Sequence, residues 1–71
     1  MNWDDKFEKK EFILRYSKFP GIEGKVIGFK IDAVGAAHDI ADHQYTVVEI
    51  FQRMGASLVS VERIYPSNYE G

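Results

Sequence analysis

Residues 36–54, AAHDIADHQYTVVEIFQRM, decide how the chain is read. Placed on a helix at about 100° per residue, Ile50, Ala36, Met54, Val47, Ile40, Phe51, Ala37 and Val48 fall in one arc, interrupted by Gln44 alone. His38, Asp39, Asp42, His43, Thr46, Glu49, Gln52 and Arg53 occupy the other side. An amphipathic helix buries such an arc, so the spacing predicts one helix over 36–54 with Ile40, Val47, Phe51 and Met54 toward the core. Gly55 stands where left-handed backbone closes a helix, and Arg53 suits the negative helix end. Thr46 and Glu49 have capping-box spacing, but the arc stays in register across them, which favours a single helix.

Working outward, Asp32 is placed as the N-cap of this helix. Before it, residues 11–19 alternate, with Phe12, Leu14 and Tyr16 against Ile13, Arg15 and Ser17, the period of a half-buried strand. Pro20, Gly21 and Gly24 supply turn chemistry. Residues 25–31 alternate again, which completes an antiparallel hairpin. In that strand Ile27, Phe29 and Ile31 are assigned to the core side, and Val26, Gly28 and Lys30 to the other. After the helix, residues 57–65 form a third strand, ended by Pro66, and 66–71 read as a loose tail. Residues 1–10 read as a short helix capped by Asn2, or as an arm, with Trp3 and Phe7 along one edge.

These elements predict a single α+β domain over 1–71 with a ββαβ core at 11–65. The sheet is three-stranded and antiparallel, order 2-1-3, with the long amphipathic helix on one face. Its outer face would carry Arg15 flanked by Lys30 and Glu62, together with Ile13, Val26 and Leu58. Either Trp3 and Phe7 or a second copy of the chain must cover it.

Seventy-one residues sit near the size at which one core supplies only about 3–5 kcal/mol. With no cysteine, disulfides and thiolate metal sites are excluded, and no oxidising compartment is needed. The hydrophobic content of 45% belongs to a folded domain. No apolar run nears the roughly 18 residues of a membrane span, and the charged N-terminus lacks a secretory core. A cytoplasmic protein is expected. Through Lys30 there are seven basic residues against five acidic ones, and after it two against six, so an anion would sit near the first third of the chain.

His38 and Asp42, like Asp39 and His43, are four residues apart and each pair could share a divalent ion. All four lie on the polar side of the helix, where such pairs are ordinary surface electrostatics, so neither a metal nor a cofactor is expected. No enzyme is expected either. The serines lack a nucleophile elbow, and residues 21–25, GIEGK, have neither the leading glycine nor the Ser/Thr of a phosphate loop. Arg15, Lys18, Lys25 and Lys30 alternate with aromatics on the hairpin, the ingredients of a weak single-strand nucleic-acid binder; with a net charge of −2 a nucleic-acid partner is not expected.

Residues 47–64, VVEIFQRMGASLVSVERI, resemble the helix, glycine turn and strand of the small-ligand ACT regulatory domains. The resemblance spans about a quarter of the chain, implies a helix–turn–strand unit there, and carries over no ligand residues. The reading reached is a small non-enzymatic protein-interaction or regulatory module, a homodimer or other homo-oligomer built on the outer sheet face or a sheet edge, with no membrane partner. The alternative is a binder of an anionic metabolite or nucleotide held between subunits. The residues expected to carry either role are Arg15, Lys25, Lys30, Ile13 and Val26. Two substitutions express the helix reading: Phe51→Ala should cost about 3–5 kcal/mol, and Asp42→Ala should change little.

Overall fold

The computed structural model describes residues 9–69. The helix or arm expected over 1–10, with Trp3 and Phe7, therefore lies outside the described residues except at its last two positions. Five elements follow: β1 Lys10–Tyr16, β2 Glu23–Gly28, α1 Lys30–Gln44, β3 Val48–Met54 and β4 Ser57–Ile64. The strands form one sheet of order β2-β1-β3-β4, every neighbouring pair antiparallel, with α1 packed on one face. The α+β class and the single helix on an antiparallel sheet are as expected. The three-stranded 2-1-3 order is not: there are four strands, and the strand expected beside β1 is β4, at the far edge.

The correction lies inside residues 36–54. Helix α1 starts six residues earlier than expected and ends at Gln44, and the remaining residues supply β3. Tyr45 takes left-handed backbone, φ 50 and ψ 58, and the Thr46 N–H donates to the Ala41 carbonyl at 3.2 Å, the long closing bond of a Schellman stop. Past that stop, Val47, Val48 and Ile50 are β-branched and suit a pleated surface. Gly55 does have left-handed backbone, φ 64, but it opens the two-residue turn between β3 and β4, where a glycine is favoured. Residues 47–64 are thus a β-hairpin, which removes the likeness to the ACT helix–turn–strand unit.

Register assigns the faces. Phe12, Leu14 and Tyr16 of β1 lie opposite Gln52, Ile50 and Val48 of β3, and Phe12 and Leu14 lie opposite Val26 and Gly24 of β2; this is the side that α1 covers. The largest fully buried side chains, Phe12, Leu14, Val48 and Ile50, all come from the two central strands. The helix meets them with Ala33, Ala37 and Ala41, each wholly buried. An alanine stripe at i, i+4, i+8 allows close approach, so the helix contributes proximity and the strands contribute bulk. Of the four helix residues expected to form the core, Ile40 alone is in α1, where it is half-buried; Met54 is 54% exposed at the end of β3.

The helix begins at an N-cap formed by Phe29, not Asp32. Asp32, in the first turn, accepts the Phe29 N–H at 2.8 Å. Gly28 makes room for that contact, because a Cβ there would sit 2.7 Å from the Asp32 carboxylate oxygen. In β4 the pairing slips by one residue between Ile50 and Phe51, and Val61 is the inserted residue. This bulge turns Glu62 toward the helix side, where Lys30 Nζ meets it at 3.3 Å. The expected outer positions of Val26, Lys30 and Glu62 are therefore wrong. Val26 packs against the buried cluster under the helix, and the alternation of β2 is inverted, with Ile27 facing out at 67% exposure.

Candidate functional site

Of the five residues expected to carry function, three share the helix-free face. Ile13 lies there between Lys25 of β2 and Phe51 of β3; it is only 6% exposed although outside the helix-side cluster. Arg15 lies between Glu23 and Glu49, bonded through Nε to Glu23 at 2.7 Å, with its guanidinium 4.8 Å from the centre of the Phe51 ring. Lys25 meets Glu11 at 3.5 Å, and Arg53 reaches the same carboxylate at 3.7 Å. Val26 and Lys30 are on the opposite side of the sheet, so within one chain Lys30 is not brought together with Arg15 and Lys25. Of the hairpin's other basic and aromatic residues, Tyr16 faces the helix, and Lys18 Nζ donates to the Gln44 carbonyl at 3.3 Å.

Arg15 finds a different neighbour. The end of the sheet at which β1 and β4 finish and β3 begins encloses a concavity of about 400 Å³, lined by Arg15, Ser17, Glu49, Arg63, Tyr65 and Tyr69 among others. Glu49 anchors it, accepting Ser60 Oγ at 2.7 Å and facing Arg63 Nη2 at 3.6 Å. The Tyr65 side chain, and then Glu49, hold the Arg63 guanidinium above its ordinary pKa, so it is a permanent cation. Tyr69 stands 5.1 Å from Tyr65 and 6.2 Å from Tyr45, ring centre to ring centre. Two guanidinium groups beside a run of aromatic rings can receive an anionic group on a planar body.

The floor under this end is polar and fully paired. Thr46, the one buried polar residue among those described, accepts the Lys18 N–H at 3.0 Å and lies 3.3 Å from Ser17 Oγ. Ser17 in turn accepts the Val47 N–H at 3.2 Å and donates its own N–H to the Val47 carbonyl at 2.9 Å. These bonds pin the β1–β2 turn to the start of β3.

The helix string His38, Asp39, Asp42 and His43 is exposed, and among the described residues no group of three or more His, Asp or Glu gathers to hold a metal ion. His43 Nδ1 bonds the Asp39 carbonyl at 2.9 Å. Asp42 has a structural task that sequence reasoning missed: its carboxylate accepts the Ser67 N–H at 2.8 Å and the Ser67 hydroxyl at 3.1 Å. Those two bonds hold its pKa below the ordinary carboxylate value, the backbone donor contributing most. Pro66 is buried and the Tyr69 N–H returns to its carbonyl at 3.1 Å, so residues 66–69 of the expected loose tail are docked on the helix C-terminus.

Sequence reasoning singled out Arg15 and missed Arg63, Tyr65 and Tyr69. The available signal was two tyrosines four residues apart around Pro66, in a segment with no other reason to be aromatic. Among the described residues no helix is long and apolar enough to cross a membrane. No known protein family, curated protein or solved structure matches this chain.

Proposed function

We propose that the protein is a non-enzymatic protein-interaction or regulatory module that works as a homo-oligomer through its sheet, in the cytoplasm. One observation supports this most: a single helix covers one face of a four-stranded sheet, while β2 and β4 are both open edges among the described residues. Exposed strand edges and large apolar side chains left in solvent are the features that partners use. A small core gains from a subunit contact what its own volume does not supply. The expected result is a concentration-dependent oligomer in sedimentation velocity. A strict monomer up to high micromolar concentration would rule the reading out.

A second reading is favoured by the concavity between Arg15 and Arg63. A small anion with a planar body, such as a nucleotide, would place its charge between the two guanidinium groups and its ring along Tyr65 and Tyr69. Thermal shifts against a panel of nucleotides test it: stabilisation by one of them, abolished in both Arg15→Ala and Arg63→Ala, is the outcome this reading requires.

A further inference from the structure

Among the described residues Tyr45 is the one non-glycine held at a positive φ, 50°, at a helix stop where glycine has no Cβ to crowd the backbone. A tyrosine there is strained, and its own contacts show what offsets the strain. The Tyr45 hydroxyl donates to the Asn68 carbonyl at 3.3 Å, and its ring lies 6.2 Å from that of Tyr69. Asp42, one turn before it, holds Ser67 through the N–H at 2.8 Å and the hydroxyl at 3.1 Å. Two fastenings at the C-terminus of α1 therefore converge on residues 67–69. What they position is a wall of the concavity. Arg15 pairs with Glu49, and Glu49 with Arg63, across adjacent strands, so that side of the site is fixed by the sheet. Tyr69 also lines the site but belongs to no strand; its N–H returns to Pro66 within its own segment.

We infer that residues 66–69 are a strap whose docking on the helix C-terminus completes the Arg15–Arg63 concavity, with Tyr45 and Asp42 as its positioning residues, so that strap docking and nucleotide binding strengthen each other. This rests on the second reading proposed above and adds the regulation of that site. A nucleotide whose ring lies along Tyr69 binds the docked form at full strength, and its apparent Kd rises in inverse proportion to the docked fraction. Linkage makes the effect reciprocal: the bound nucleotide holds the strap down. The coupling explains why a tyrosine stands where glycine would close the helix with less strain. Glycine at position 45 would keep the stop and lose both contacts to the strap.

The test measures calorimetric binding of the adenosine mono-, di- and triphosphates to the whole chain. Tyr45→Gly is expected to keep its far-UV circular dichroism while the Kd of the bound nucleotide rises at least about 10-fold, the effect of a docked fraction near one tenth. Tyr45→Phe, which keeps the ring beside Tyr69, should recover most of the loss. Asp42→Ala cuts the other fastening at an exposed position and should act in the same direction as Tyr45→Gly. Hydrogen exchange supplies the reciprocal readout. The Ser67 and Tyr69 amides, bonded to Asp42 and to the Pro66 carbonyl, should exchange more slowly in the wild-type chain once nucleotide is bound. Affinity unchanged in both Tyr45→Gly and Asp42→Ala, or amides that exchange no more slowly with nucleotide bound, overturns the strap and leaves the nucleotide reading standing. A wild-type chain that binds none of the three nucleotides overturns both.

Discussion

Residues 36–44 and 48–54 carry similar apolar density and fall in one helical arc, yet the first is the second half of α1 and the second is the central strand β3. The helical half contributes small residues to the core, Ala37 and Ala41 with Ala33 before them, and keeps its polar residues in solvent. The strand half contributes Val48 and Ile50 on one side and directs Glu49 and Phe51 to the other. Positions 47, 48, 50, 51 and 54 satisfy a helix arc as well as they fit a strand with apolar groups on both faces, so periodicity alone does not separate them. Side-chain type distinguishes what spacing leaves degenerate: alanine where a helix must approach closely, β-branched residues where a strand is enclosed on both sides.

The sharpest way to break this contrast is to truncate adjacent residues of β3. Ile50, fully buried under the helix, should lose about 2–5 kcal/mol as Ile50→Ala in chemical denaturation, enough to unfold much of so small a domain. Phe51, half-buried on the other face beneath Arg15, should lose about 1–2 kcal/mol as Phe51→Ala. A helix over 36–54 demands that Phe51 be a core residue; the strand demands that Ile50 be the costlier of the two. Equal or inverted costs would mean that the strand register is wrong.

The boundary between the two regions offers a smaller effect. Thr46 Oγ1 is buried and accepts the Lys18 N–H, so Thr46→Val keeps the shape but strands that donor, at a cost of about 1–3 kcal/mol. Thr46→Ser should recover most of it. If Thr46→Val proved neutral, the polar floor beneath the Arg15–Arg63 concavity would contribute nothing to holding the two regions together.

The smallest effect is on Asp42, in the helical region. Its carboxyl pKa is lowered in the folded protein by Ser67, so the stabilisation is fully present above the ordinary carboxylate value and is lost as pH falls from there through the folded value. The docked segment at 66–69 should accordingly loosen on acidification below the ordinary carboxylate range. Near-UV circular dichroism of the Tyr45–Tyr69–Tyr65 cluster reads this out, and Asp42→Asn should remove the pH dependence. An unchanged pH profile in Asp42→Asn would show that the segment is held by something other than this carboxylate. The sequence alone leads one to expect little from Asp42→Ala, because helical spacing places Asp42 on a free face. The residue is indeed exposed, but it faces a chain segment that no local pattern connects with it.

Much of the candidate site is equally non-local. Arg15 was legible because alternation in β1 puts it opposite Phe12 and Leu14. Arg63 and Glu49 were not, since the concavity forms only when β3 separates β1 from β4, and the bulge at Val61 shifts Arg63 to the face it needs. The faces of β2 were ambiguous for a simpler reason. Val26 and Ile27 are adjacent and both apolar, so alternation has no unique phase there; Gly24 and Gly28, which fit beneath Tyr16 and Asp32, mark the helix side.

By itself the sequence determined a cysteine-free α+β domain, the β1–β2 hairpin, the strand now numbered β4, a helix packed on one face, and Arg15 on the other. These follow from short-range periodicity and turn chemistry, which depend on residues within a few positions of one another. Only the tertiary structure decided that the helix stops at Tyr45, that β3 lies between β1 and β4, and that Ile27 of β2 and Ile31 of α1 are exposed to solvent. The physical reason is that strand pairing joins residues far apart, such as Tyr16 with Val48. A segment whose apolar spacing suits both helix and strand takes the conformation for which the rest of the fold supplies partners.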